Sequence, residues 1–327
     1  MIFIDERYSI NMDMKNVREN KIYNAFDKLN DEPVIIKLLK ETSKIKDDFV
    51  RNIIDISTFI NEKKPSGVLK IKKVDRCKLG NHGNYIYIVY ENIKGVTLSN
   101  IMEGNYLDKY GISSIAMGIF RTLSNMEDNF GKKIGYHGSL KSEDIIIDKN
   151  YNIKVADFGI TAANRGKNIE AEGNIDYMSI FQLGINHTDY QSDIFSAGII
   201  IYEMIFGKKP FISSNDKKQM LRNMNKTPDF KLKTDNRDFD SIIELDKKLL
   251  DMEKNDIKYE DIIKELMDIT LEIDKKIKEN TYECIDKIYK AQNKINDRLK
   301  KNKIKPKIII FVVVIVLIII NTIYFIV

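Results

Sequence analysis

The sequence predicts an α+β fold in two unequal lobes, a small strand-rich one over residues 1–95 and a larger helix-rich one over 96–268. Three observations carry this. Runs rich in β-branched and aromatic residues crowd the first part. Apolar residues recur at threes and fours from Ser99 onward. Finally, residues 308–327 form an uncharged apolar run at the C-terminus, long enough to cross a bilayer as one helix.

Taken in order, residues 1–40 read as short strands and turns ending in Pro33-Val34-Ile35-Ile36-Lys37-Leu38-Leu39. A helix is expected over 42–61, with Phe49, Ile53, Ile56 and Ile60 on one face. Val68-Leu69-Lys70-Ile71 and Tyr85-Ile86-Tyr87-Ile88-Val89-Tyr90 read as strands, parted by a turn over 79–84. Two further short strands are expected at Ile145-Ile146-Ile147 and Ile153-Lys154-Val155. Ile199 to Phe206 continues an apolar helix that stops at Gly207-Lys208-Lys209-Pro210-Phe211. An amphipathic stripe over 262–299 includes a predicted juxtamembrane stalk at 269–307, with a break expected near Asn280.

Composition narrows the classes. Hydrophobic residues are 43% and charged residues 31%, enough for a core with a solvated surface. The net charge is only +5, and much of it sits just before the apolar tail, so a nucleic-acid partner is not indicated. Cys77 and Cys284 lie too far apart in sequence for a metal-ligand spacing or a disulfide framework. Arg298, Lys300, Lys301, Lys303, Lys305 and Lys307 flank the tail. Basic flanks stay on the cytoplasmic side, so a single-pass C-terminal anchor with the bulk of the chain cytoplasmic is expected.

The decisive stretch is Tyr136-His137-Gly138-Ser139-Leu140-Lys141-Ser142-Glu143-Asp144, followed by Val155-Ala156-Asp157-Phe158-Gly159. With Val34-Ile35-Ile36-Lys37 and Ser192-Asp193-Ile194-Phe195-Ser196-Ala197-Gly198 in the same order, residues 16–268 resemble the protein-kinase superfamily. The resemblance implies that Lys37 holds the α- and β-phosphates of ATP. It places Ile35, Glu91, Ile93 and Ile146 in the nucleotide pocket, and Asp157 and Asp144 on Mg²⁺. His137 and Phe158 would belong to an internal column joining the lobes, anchored by Asp193.

Several departures fall on the chemistry. Ser139 stands where the family keeps its catalytic Asp beside Lys141, and a hydroxyl cannot accept the substrate proton near neutral pH. Asp144 replaces an Asn, a mild change for a metal ligand. Asn52 or Ile53 stands where a Glu should pair with Lys37, and Lys15-Asn16-Val17-Arg18-Glu19-Asn20 lacks the glycines of a phosphate-covering loop. Gly138 replaces an Arg that docks a phosphorylated activation loop, and residues 162–175 contain no Ser, Thr or Tyr to phosphorylate. Phe181 stands where a structural Glu pairs with an Arg, which is itself absent or shifted around Asp256-Ile257-Lys258-Tyr259.

The expectation is a membrane-anchored pseudokinase that acts as scaffold or decoy for a protein partner such as another kinase. It would require no cofactor, with ATP and Mg²⁺ as possible weak ligands. Two alternatives stay open: a divergent active Ser/Thr kinase, and a structural docking subunit of a membrane complex. His137-Gly138 without a following Asp also resembles mixed-lineage kinase domain-like pseudokinases and their viral relatives.

Overall fold

The computed structural model describes residues 1–11, 21–42, 45, 47–103, 107–132, 134–148, 152–166, 175–185, 187–231, 239–251 and 257–275, with 287, 290 and 294. Met1–Thr270 forms one compact unit and Leu271–Val327 a second.

Nine strands are described: β1 (Ile2–Ile4), β2 (Tyr8–Ile10), β3 (Lys21–Asp27), β4 (Glu32–Lys40), β5 (Ile71–Lys78), β6 (Asn84–Glu91), β7 (Gly95–Thr97), β8 (Ile145–Asp148) and β9 (Ile153–Val155). The first six form an antiparallel sheet in the order β1-β2-β3-β4-β6-β5, and the last three a small sheet β7-β8-β9. The helices include α1 (Phe49–Lys63), α2 (Leu98–Glu103), α3 (Lys109–Phe130), α4 (Ile160–Ala163), α5 (Ile180–Ile185), α6 (Tyr190–Phe206), α7 (Lys217–Met224) and α8 (Asp240–Leu249), and residues 259–275 are helical as well.

Alternation along β4 and β6 builds the larger sheet. Successive side chains point to opposite faces of a strand. Val34, Ile36 and Leu38 therefore join Tyr85, Tyr87 and Val89 in one apolar cluster, against Ile2, Ile4, Tyr8 and Ile10. Ile35 and Leu39 join Ile86, Ile88 and Tyr90 on the other face, where Phe49, Val50 and Ile53 of α1 cover them. Both faces are buried, so β4 reads as a continuous apolar run interrupted by a lysine.

Two element boundaries differ from the sequence expectation. The helix expected over 42–61 begins at Phe49 instead, with Asp48 at its boundary and the Asp48 carboxylate turned to Arg165 Nη2 at 2.7 Å rather than to the helix N–H groups. The strand expected at 68–71 begins only at Ile71, since Val68 leaves the large sheet to form a parallel bridge with Val155. Strand β7 was not anticipated. Residues 15–20, most of the expected juxtamembrane stalk and the apolar tail lie outside the described residues. Among the described residues, no helix is long and apolar enough to cross a membrane.

In the helical part, α6 is the central element. Asp189 and Ser192 form a reciprocal capping box at its start, and residues from Ser192 to Tyr202 are buried almost without interruption. It packs against α3 and α8. One residue conflicts with this core. Asp246 of α8 lies among the buried Ile242, Ile243, Leu245 and Leu249, and neither carboxyl oxygen has a hydrogen-bond partner among the described residues.

Burial alone pushes the Asp246 carboxyl well above its ordinary value of 3.8. The folded protein thus keeps a proton that the unfolded chain releases above that pH, so Asp246 lowers stability as pH rises from there. Asp246→Leu is expected to stabilise the fold at pH 7 by about 1–3 kcal/mol, the penalty of an unsatisfied buried polar group. The gain should shrink towards pH 4, and urea unfolding of both proteins at several pH values measures it. A destabilised variant at pH 7 would mean that Asp246 does structural work its surroundings do not reveal.

Candidate functional site

Strand register brings the first members of the site together. In the β4–β6 pairing, Ile35 is opposite Tyr90 and Lys37 is opposite Ile88. Lys37 and Tyr90 are therefore diagonal neighbours on one face, within reach of a common partner. That partner arrives on the chain leaving β9. Asp157 adopts a left-handed conformation at φ 65°, and Gly159 follows at φ 87°. A side chain on Gly159 would come within 2.6 Å of Ile56 on α1, so this turn packs directly under that helix.

The Asp157 carboxylate is taken from both sides. Lys37 Nζ donates to Oδ2, and the Tyr90 hydroxyl donates to Oδ1. All three are sealed from water, with Lys37 1%, Asp157 2% and Tyr90 0% exposed. Burial alone would raise the Asp157 carboxyl, but Lys37, the Tyr90 hydrogen bond and the more distant charge of Lys141 outweigh it. The net effect holds Asp157 below its usual range, ionised at neutral pH.

The α1 residues in register with the missing glutamate do something else. Asn52 Nδ2 donates to the Ala163 carbonyl at 3.0 Å, and Ile53 is buried in the apolar cluster. Of the other expected pocket residues, Ile35 and Ile146 pack in that same cluster and Ile93 borders it. Glu91 turns elsewhere: its carboxylate accepts from the Lys70 backbone N–H at 3.2 Å and lies 3.8 Å from Lys154.

Below this level, Asp193 of α6 anchors the loop carrying Ser139. Its two oxygens accept the backbone N–H groups of His137 at 2.6 Å and Gly138 at 2.7 Å. Burial pushes the Asp193 carboxyl up to about 7, and these two donors pull the other way. The His137 ring contacts the Ala156 carbonyl through Nε2 at 2.8 Å and meets Phe158 edge-on at 5.0 Å. His137, Phe158 and Asp193 are thus brought together as one buried stack. Asp144 is buried beside them, its Oδ2 3.9 Å from His137 Nε2. Ser139 is half-buried, and its N–H faces His137 Nδ1 at 3.3 Å.

Gly138 leaves no room for the arginine it replaces. Its φ is 78°, and a Cβ there would lie 2.8 Å from the methyl groups of both Thr161 and Thr188. Its carbonyl accepts from Gln182 Nε2 at 2.9 Å. Nearby, Lys209 lies 3.3 Å over the Tyr177 ring and pairs with Glu203 at 2.6 Å, while the Tyr177 hydroxyl reaches Ser142 at 2.8 Å. This cation and ring tie down the segment around Tyr177, whereas Phe181 is partly exposed and Tyr259 is buried. Asp256 lies outside the described residues.

Sequence reasoning missed Tyr90 and the Lys209–Tyr177 contact. The strand alternation held the signal for Tyr90, since it shares a parity with Ile86 and Ile88 on the Lys37 face. Nothing in the order of residues pointed to Lys209.

Among the described residues, no group of three or more His, Cys, Asp or Glu converges on a metal position. Asp157 and Asp144 are the two carboxylates available to a cation, and ATP with Mg²⁺ is a possible ligand of this cleft. The arrangement does not fit that ligand as it stands. Lys37 and Tyr90 each already use a lone pair on one oxygen of Asp157, so a phosphate would compete for Lys37 and a metal would share the carboxylate with the Tyr90 hydroxyl.

Residues 18–290 match the family described as the protein kinase domain. A protein named as a probable serine/threonine-protein kinase of Clostridium acetobutylicum is 30% identical over 217 residues, covering 64% of this chain and 31% of that protein. The serine/threonine-protein kinase PrkC of Bacillus subtilis is 29% identical over 196 residues, covering 58% of this chain and 29% of its own. The serine/threonine-protein kinase PknL of Mycobacterium tuberculosis is 24% identical over 215 residues, covering 64% and 51%. The chain therefore spans about a third to a half of the length of these relatives. The match over 18–290, together with Lys37, His137, Asp157 and Asp193 in one buried arrangement, means that this chain belongs to the protein kinase domain family.

Proposed function

We propose that this protein is a pseudokinase, a kinase-family protein that transfers no phosphate and works by binding a protein partner, which can itself be a kinase. The observation that carries the proposal is Ser139 at the catalytic-base position. A serine hydroxyl neither orients nor deprotonates an attacking hydroxyl near neutral pH. Two features support it. The carboxylate that would hold Mg²⁺ is committed to Lys37 and Tyr90. The position of the arginine that reads a phosphorylated loop is a glycine with no space for a side chain.

The second reading is a divergent Ser/Thr kinase. It is favoured by the names of the relatives and by the presence of both Lys37 and Asp157. Phosphoryl transfer depends mostly on positioning and charge stabilisation, so loss of the base alone leaves room for slow turnover.

We further propose that residues 308–327 hold the protein at a membrane, with the kinase domain on the cytoplasmic side. Tethering raises the effective concentration towards other membrane-bound partners, so a weak binder there acts as an effective competitor or scaffold. A docking subunit of a membrane complex shares this anchor, but would copurify in fixed stoichiometry with its assembly.

Three outcomes are expected. Thermal unfolding with and without ATP and Mg²⁺ should show no shift for the wild-type protein. A ligand at a hundred times its dissociation constant would add about 2.7 kcal/mol, or roughly 5–10 °C for a domain of this size. Tyr90→Phe frees one Asp157 oxygen and should tighten nucleotide binding by about tenfold, measured by titration with a fluorescent ATP analogue. Phosphate transfer from ATP that disappears on Lys37→Ala would establish the kinase reading instead. Finally, deletion of 308–327 should move the protein from the membrane to the soluble fraction on cell fractionation. Unchanged sedimentation with membranes would assign the anchoring to another element.

A further inference from the structure

We infer that a groove on the first compact unit, separate from the Lys37–Asp157 site, is a docking surface for an extended acidic segment of a partner protein. The groove has a volume of about 1340 Å³. It runs between the end of α1 with Pro65–Gly67, the exposed side of α3, the segment after β6, and the start of β9. Cavities that take small ligands measure about 300–1,000 Å³, so this space is large for a metabolite and suits a stretch of polypeptide.

Its floor is apolar and its rim is cationic. Met117 and Ile153 are buried at the base and Ile93 is half-buried beside them. Lys64, Lys94 and Arg121 line the groove with exposed side chains that make no hydrogen bond or ion pair among the described residues. The remaining charges at the groove are mostly engaged. Asp148 accepts from both the backbone and the side chain of Asn152 at 2.9 Å. Lys154 donates to the Val68 carbonyl at 3.1 Å and approaches Glu91. Asp128 stands alone against the three loose cations.

Charge and shape select the occupant. Four cations, Lys64, Lys94, Arg121 and Lys154, line the groove against two carboxylates, Asp128 and Asp148, and that excess of positive charge attracts an acidic ligand and repels a basic one. A bilayer surface meets exposed cations on a flat or convex face, but cannot enter a concave groove to reach Met117 and Ile153. A ligand that satisfies both the floor and the rim carries acidic residues beside apolar anchors. The lysines and Arg121 then select the charge pattern, while Ile93, Met117 and Ile153 take the anchors. Ile93 also borders the apolar cluster that holds Ile35 and Tyr90, so an occupant here touches the packing behind the cleft. The inference stands whether or not Ser139 supports chemistry, because no residue of the catalytic loop lines the groove.

The test uses the full-length chain in nonionic detergent and four labelled probes, read by fluorescence anisotropy. The probes are a decapeptide alternating Asp and Leu, an all-Glu pentapeptide of matched charge, a decapeptide alternating Lys and Leu, and a single-stranded RNA of ten nucleotides. The Asp–Leu peptide is expected to bind at least fivefold tighter than the all-Glu peptide, and the Lys–Leu peptide not at all. The double variant Lys94→Glu, Arg121→Glu should weaken the Asp–Leu peptide at least tenfold. The control Lys72→Glu, Lys247→Glu, with cations reversed away from the groove, should leave it within twofold.

Equal binding of the two acidic peptides, or tightest binding of RNA, would reduce the groove to a general polyanion patch and overturn the inference. So would an unchanged affinity in the double variant with an unaltered unfolding midpoint. Phosphatidylserine vesicles form the final arm. If the double variant loses vesicle binding but keeps the acidic peptide, the cations serve a lipid surface and the docking assignment falls. Acetylation of Lys64 and Lys94, followed by mass spectrometry, gives an independent readout. Both lysines should be protected by the Asp–Leu peptide while Lys72 is not, and equal labelling with and without peptide would also overturn the assignment.

Discussion

The structure around the cleft depends on one buried group, the Asp157 carboxylate with Lys37 and Tyr90. A charge removed from water costs several kcal/mol unless another charge and hydrogen bonds replace the solvent. Here each partner is the condition for the others. Lys37 comes from the centre of β4, Tyr90 from β6 and Asp157 from the chain after β9, so the triad ties the large sheet to the segment entering the helical part. Removing one member of such a pair strands the other, at about 3–5 kcal/mol. That is a large fraction of a domain's total stability. Lys37 and Asp157 therefore have a structural reason to be present, independent of phosphate transfer.

The stack of Asp193, His137 and Phe158 extends the same logic downward. Asp193 fixes two consecutive N–H groups of the loop, the His137 ring fixes the Ala156 carbonyl, and Phe158 packs on that ring. Asp157 lies between Ala156 and Phe158, so its position is set from both sides before Lys37 or Tyr90 is considered. By contrast, Ser139 sits at the rim of this frame. Changing the residue there alters the chemistry without disturbing the packing, whereas Gly138 is fixed by the packing itself, its place closed by Thr161 and Thr188.

Much of this was legible in the sequence, and the reasons are local. Alternation in Val34-Ile35-Ile36-Lys37 places Lys37 on the face of Ile35, and the structure has it there. The loop from Tyr136 and the Asp157-Phe158-Gly159 turn are recognisable because their spacing reflects fixed geometry at strand and loop ends. Tyr90 was missed because its role needs the register between β4 and β6, which two separate strands do not reveal until paired. The start of α1 was misplaced because Thr42 to Asp48 has a helix-compatible composition, and Asp48 turns its carboxylate to Arg165, 117 residues away, rather than to the helix N–H groups that would mark the boundary locally. The groove of Lys64, Lys94 and Arg121 was illegible for the same reason: its cations come from three separate stretches of chain.

The triad also decides how the cleft treats a nucleotide. Exchanging Lys37 from Asp157 to a phosphate, and Asp157 from Lys37 to Mg²⁺, replaces one set of opposite charges by another. That exchange is close to balanced, and it is available to any kinase with this lysine and aspartate. Tyr90 is not balanced. Its hydroxyl is wholly buried and donates to Asp157, and that bond weakens when a metal draws on the same carboxylate. Leaving a buried donor unsatisfied costs about 1–3 kcal/mol, which is about 5- to 150-fold in affinity. Loss of the base at Ser139 removes the chemistry, whereas Tyr90 acts earlier, on whether the cleft fills at all. The two effects are separable because they reside on different elements, one on the loop anchored by Asp193 and the other on β6.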